Sequence, residues 1–174
     1  RGPLCVQVRR WGFPASPLHP IYAPSRLHID QTYTFFAGAD YFLKDGVMEA
    51  VKDLPIAALR DDEWVLSGYS FTDRVWVDAE GRLHEGPVGS GQGQNLWGVG
   101  FFHRDSRDAF VALWLEHSAD KIEKLHHNGS PSRHYYHHGQ LWARYPVGSG
   151  NLQLDAGTAI RQRNAYLVLS YPDE

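Results

Sequence analysis

The stretch LHIDQTYTF (Leu27–Phe35) decides how this chain folds. Leu27, Ile29, Tyr33 and Phe35 fall on one side of an extended backbone. His28, Asp30, Thr32 and Thr34 fall on the other. Side chains of a strand point to opposite faces in turn, so a period of two with β-branched and aromatic residues describes a strand with one face on a core. Working outward, WVLSGYSF (Trp64–Phe71) and RVWV (Arg74–Val77) read as further strands. DAEG (Asp78–Gly81) is a hairpin turn with glycine at its end. LWGVGFFHRDSRDAFVALWLEH reads as a hairpin turning at Asp105–Arg107, and TAIRQRNAYLVLSY (Thr158–Tyr171) as a late strand. Helical spacing is scarce, and the two short helix candidates are Asp45–Lys52 and Ala119–Leu125. Many short strands with regular turn signals predict an all-β protein, an antiparallel β-sandwich. Pro3, Pro14, Pro17, Pro20 and Pro24 predict an irregular, extended arm over residues 1–25, with a short strand at Leu4–Arg10.

The 174 residues suit one domain, 1–174. A net charge of -3 from interspersed acids and bases leaves no basic footprint for phosphates. Nucleic acid and membrane surfaces are therefore not expected partners. No run approaches the roughly 18 apolar residues of a membrane span. No charged-then-apolar leader is visible, which leans toward a cytoplasmic location and leaves the compartment otherwise open. The chain begins Arg1-Gly2-Pro3, and its one methionine is Met48. A processed chain or a fragment of a longer protein is expected, with a second chain or the missing upstream part as a further partner. The single Cys5 rules out an intrachain disulfide framework and reads as a small buried apolar residue.

RLHIDQTYTFFAGADYFLKDGVMEA (Arg26–Ala50) and GTAIRQRNAYLVLSY (Gly157–Tyr171) resemble strands of the galactose-mutarotase-like β-sandwiches, in which polar rows alternate with aromatics and a Y-x-F-F-x-G corner turns the chain. The resemblance covers about half of the chain. That superfamily includes sugar epimerases, polysaccharide lyases and noncatalytic sandwich domains of glycoside hydrolases, so the resemblance implies carbohydrate contact without fixing a reaction.

The histidine-rich segment HHNGSPSRHYYHHG (His126–Gly139) carries the candidate chemistry. His126-His127 beside Asn128-Gly129 reads as loop. Taken as one strand, His134–Arg144 puts His134, Tyr136, His138, Gln140, Trp142 and Arg144 on one face. An indole there can stack on a pyranose, while Arg144 and Gln140 reach hydroxyls or a uronate carboxylate. His134 or His138 can move a proton near neutral pH, with Glu116 or Tyr136 as partner. In the long hairpin, Val99, Phe101, Val111, Leu113 and Leu115 read as core. Gly98, Gly100, Phe102, Phe110, Trp114 and Glu116 then share the other side, where glycines leave room beside three aromatics and a carboxylate. Asp30 is a second placed carboxylate, whereas Asp61, Asp62 and Glu63 read as an exposed turn. No cofactor is firmly implied; the sequence allows a divalent transition metal held among His103, His117 and His134, with His134 and His138, or His126 and His127, as the pair and His103 or His117 completing it, without a compact ligand signature. GPVGSGQGQ (Gly86–Gln94) reads as a mobile loop. Three readings stay open: a lyase- or epimerase-like enzyme using histidine proton transfer on a sugar or other polyhydroxylated or aromatic ligand, a noncatalytic binding or accessory sandwich, and a histidine-ligated metalloenzyme.

Overall fold

The computed structural model describes residues 4–14, 26–57, 59–67, 70–89, 91–93, 95–120, 122, 128–135, 139–145 and 152–172. Its strands are β1 (Cys5–Gly12), β2 (Leu27–Phe36), β3 (Tyr41–Ala50), β4 (Leu54–Ile56), β5 (Asp62–Leu66), β6 (Asp73–Val77), β7 (Leu83–Pro87), β8 (Gly91–Gly93), β9 (Gly98–Phe102), β10 (Asp108–Ala119), β11 (Asn128–Tyr135), β12 (Gly139–Tyr145), β13 (Leu152–Leu154) and β14 (Ala159–Ser170). Among the described residues there is no helix. One sheet has eight strands in the order β1-β2-β3-β14-β10-β9-β6-β7, a second has four in the order β5-β12-β11-β8, and β13 pairs with β4. All pairings are antiparallel. The architecture is an all-β sandwich, as the alternating pattern requires.

β2 is a strand as read, with Leu27 and Ile29 packed against Met48 and Ile160, but its far end departs from the expected faces: Thr34 is buried and Phe35 is exposed. On the inner face the register joins Phe35, Phe42, Tyr166, Ala112 and Val99 across five strands. Val99, Phe101, Ala112 and Tyr166 are fully enclosed. Each large apolar side chain removed from water in this way contributes about 1.5–3 kcal/mol. Trp64 of β5 closes the sandwich from above, its ring 4.7 Å from Phe110 and 4.8 Å from Tyr166.

Several local readings change. Asp45–Lys52 is strand up to Ala50, because Lys44, Gly46, Met48 and Ala50 turn inward at a period of two. Ala119 ends β10, and the rest of that helix candidate lies almost wholly outside the described residues. The chain does not run as one strand from His134 to Arg144. β11 ends at Tyr135, β12 begins at Gly139, and His134 faces Gln140 across the hairpin. Asn128 and Gly129 belong to β11 rather than to a loop, and the glycine-rich segment contributes β8, which pairs with β11. Cys5 is exposed, on β1, which is an edge strand among the described residues.

Candidate functional site

The outer face of the large sheet, turned away from the small sheet, carries two polar rows. Register aligns Arg9, Thr32, Asp45, Arg163 and Glu116 across β1, β2, β3, β14 and β10. The next row outward is Trp11, Asp30, Val47, Arg161 and Ser118. Except for Trp11, which stands at the margin on the edge strand, these residues line a groove of about 590 Å³. Its charges are pre-arranged. Arg9 donates from Nε and Nη2 to the two oxygens of Asp30 at 2.9 and 2.5 Å. Arg163 Nε donates to Asp45 Oδ1 at 2.7 Å, and its Nη1 lies 3.9 Å from Glu116 Oε1. Arg161 approaches Asp120 at 3.6 Å. The hydrogen bond from Arg9 holds the Asp30 carboxyl below its usual range, and the one to Asp45 raises the Arg163 guanidinium above its own. Pairs this exposed contribute little to stability. Their consequence is geometric: long side chains are held in one arrangement that presents donors and acceptors side by side.

Glu116 reaches this groove through a β-bulge. The register of β10 against β14 slips between Trp114 and Glu116, leaving Leu115 as the extra residue. Trp114 points inward and is 3 % exposed, whereas the Glu116 side chain is 74 % exposed on the outer face. The reading that put Glu116 beside Trp114 assumed unbroken alternation, which the bulge interrupts. Glu116 is consequently separated by the sheet itself from β11 and β12, the strands that carry His134 and Gln140.

The other predicted residues occupy different places. Phe102 packs with Val75 and Ala109 in a small core, and Phe110 joins the main core with Trp114. The glycines open no space beside them. Gly100 pairs with Val111, and a Cβ there would stand 2.4 Å from the Phe110 carbonyl. Arg144 is wholly buried, paired with Asp61 and 5.9 Å from the Trp114 ring. Desolvation pushes its guanidinium down to about 9, and Tyr166 counters part of that shift. By backbone register Gln140 stands opposite Leu66, Trp142 opposite Trp64 and Arg144 opposite Asp62. Tyr136 and His138 lie outside the described residues. His103 caps the β9–β10 turn, its Nδ1 accepting from the backbone N–H groups of Asp105 and Ser106 at 3.2 and 3.3 Å. His117 lies inward at the far end of β10, with Nε2 3.1 Å from Asn164 Oδ1. A strand rises about 3.3 Å per residue, so the two histidines are roughly 25–30 Å apart and cannot share an ion. Among the described residues no three His, Cys, Asp or Glu side chains converge as a metal site.

The feature missed in the sequence is the polar interior. Asp61 and Asp62 are buried between the sheets. Asp62 accepts from Lys44 Nζ at 3.1 Å, Asn164 Nδ2 at 3.0 Å and the Tyr166 hydroxyl at 2.5 Å. Gln162 Nε2 donates to the Asp61 carbonyl at 3.1 Å. The signal was available: Asp62 shares parity with Trp64 and Leu66, both facing the core.

The fold thus defined resembles that of the galactose-mutarotase-like β-sandwiches. No protein-family model matches the sequence, and no curated protein matches it significantly. Solved structures do. The GH36 α-galactosidase AgaA from Geobacillus stearothermophilus is 9 % identical with a TM-score of 0.55, over 98 % of this chain and 30 % of its own. A putative aldose 1-epimerase from Klebsiella pneumoniae is 10 % identical with a TM-score of 0.53, over 95 % and 51 %. The Slr1438 protein from Synechocystis is 7 % identical with a TM-score of 0.51, over 95 % and 62 %. The present chain therefore spans less than two thirds of each of these proteins.

Proposed function

We propose that this chain is a saccharide-binding β-sandwich whose ligand lies in the outer groove. The observation that carries the reading is the in-register row Arg9, Thr32, Asp45, Arg163 and Glu116 lining a 590 Å³ groove. A sugar hydroxyl both donates and accepts, so adjacent guanidinium and carboxylate groups satisfy vicinal hydroxyls in pairs. The fold shared with an α-galactosidase solved in complex with raffinose and with a putative aldose 1-epimerase supports the same class of ligand. Replacing Arg163 by alanine removes the group that joins Asp45 to Glu116. Hydrogen bonds to a charged group contribute about 1.5–3 kcal/mol, so saccharide affinity should fall roughly ten- to hundredfold by calorimetry with the melting temperature held within a few degrees. Unchanged affinity in Arg163→Ala rejects the groove.

A second reading keeps proton transfer on the β11–β12 hairpin. It is favoured by the register that sets His134 opposite Gln140, with Trp142 and Arg144 further along the same strand. In it His134 or His138 moves the proton and Tyr136 replaces Glu116 as partner. His134→Ala and His138→Ala should then each abolish turnover of an aldose while the fold persists; full activity in both variants rejects it.

A further inference from the structure

We infer that the ligand of the groove is a neutral oligosaccharide, not a uronate, and that one of its rings stacks on Trp11 at the β1 edge. This rests on the groove reading above and adds the ligand's charge class and its direction across the sheet.

The charge class follows from the pairing. Each groove arginine already faces a carboxylate: Arg9 with Asp30, Arg163 with Asp45 and Glu116, and Arg161 with Asp120. An anionic sugar would have to displace one of these carboxylates and would then lie against it, because like charges in contact disfavour binding. A neutral hydroxyl displaces nothing. It bridges a guanidinium N–H and the carboxylate beside it, satisfying both.

The direction follows from two exposed rings. Trp11 is 71 % exposed and Phe13 58 % exposed, although both sit next to ordered strand backbone. Trp11 alternates in phase with Arg9, whose side chain contacts Asp30 in the groove, and stands opposite Asp30 in register. Phe13 is held edge-on against His28 at 5.1 Å. Among the described strands β1 has no neighbour on its far side, and both rings are exposed. An aromatic face and a row of charged hydrogen-bonding groups side by side match the two chemistries of a pyranose, its apolar C–H face and its hydroxyl rim. Trp11 itself borders a second hollow of about 250 Å³, whose other walls include Arg10, Ile29 and Gln31, which belong by register to the opposite face of the sheet, so this ring stands where the two faces meet at the edge. From β1 to β10 is four strand spacings of ~4.8 Å, roughly 19 Å, which is room for more than one ring.

The test is a glycan array carrying neutral and uronate-containing oligosaccharides, followed by calorimetry of its best binder on the wild-type chain and on Trp11→Ala, Trp11→Phe and Arg163→Ala. Neutral oligosaccharides should be retained over uronates. Trp11→Ala should weaken the best binder about tenfold, and Trp11→Phe should recover most of the loss, since a flat apolar ring is what stacks on the sugar. A preference for uronates overturns the charge class. Undiminished affinity in Trp11→Ala, with loss in Arg163→Ala, overturns the stacking while the groove stands. An array with no retained glycan rejects both the groove and the inference built on it.

Discussion

Asp62 shows what a single side chain does in this sandwich. At 6 % exposure it is a carboxylate in an apolar layer, tolerable because Lys44, Asn164 and Tyr166 all donate to it. Lys44 and the β14 side chains belong to the large sheet and Asp62 to the small one, so the cluster fixes how the sheets sit on each other. Removing one partner of a buried ion pair leaves the other charge without its counter-ion, and Asp62→Ala should cost about 3–5 kcal/mol, read as a lowered denaturant midpoint. The double variant Lys44→Met with Asp62→Leu should be close to neutral; a loss as large as that of Asp62→Ala would mean that the charges themselves stabilise the fold. Alkaline pH addresses the same cluster. Burial and the neighbouring Asp62 push the Tyr166 hydroxyl well above 10, so its contribution is complete below 10 and lost as pH rises above it. Arg144, held down to about 9, works in the opposite sense above 9. Tyr166→Phe removes the first effect and leaves the second, so its stability should fall less steeply above pH 10 than the wild type's. Of this cluster the sequence showed only parity. Asp61-Asp62-Glu63 looks like a solvated turn because most of the partners that make burial tolerable, Asn164, Tyr166 and Gln162, lie on β14, about a hundred residues away.

At the scale of elements, many strands and the turns were legible, and register was not. The strand β2, the turn at Asp78–Gly81 and the β9–β10 hairpin follow from local pattern and turn chemistry, whereas the second half of β3 read as a helix and β8 as a loop. Which face of β9 meets which face of β10 depends on the loop between them. Val99 pairs with Ala112 and Gly100 with Val111, so the two strands share faces in the combination opposite to the one expected. The bulge at Leu115 then reverses parity once more and delivers Glu116 to the groove. Gly100 is where this register is enforced. A Cβ there would lie 2.4 Å from the Phe110 oxygen and 2.8 Å from the Val111 Cα. These are backbone atoms, which cannot rotate aside, so β9 and β10 would have to part. Gly100→Ala should destabilise by about 1–3 kcal/mol, the usual range for overpacking. Gly86→Ala on β7 is the control, since its nearest contact would be 3.9 Å away. Equal denaturant midpoints for the two variants would show that Gly100 does not set the spacing of β9 and β10.

The whole molecule places its pH-sensitive contacts unevenly. Asp30, on β2 beside the edge strand β1, and Asp78, in the turn joining β6 to the opposite edge strand β7, both titrate below the usual carboxylate range. The first is held there chiefly by the hydrogen bond from Arg9. The second is held chiefly by its hydrogen bond with His84, whose Nε2 lies 2.8 Å from Asp78 Oδ2, and also by Arg82. Stability from a depressed carboxyl is complete above its unfolded value near 3.8 and is lost as pH falls below it. The middle strands β3, β14 and β10 also carry carboxylate contacts, but they are held chiefly by the enclosed core. Apolar burial does not depend on proton concentration, so acid should loosen the two margins before the centre. Hydrogen exchange followed from pH 5 down to pH 2.5 should show protection lost first in β1 and β7 and last in β14. Asp78→Asn should remove the acid sensitivity of β7 alone, because the amide has no charge to lose, and leave that of β1 unchanged. A single cooperative loss across all eight strands at one pH, in both proteins, would show that the edges and the centre open as one unit and that the margins carry no separate acid response.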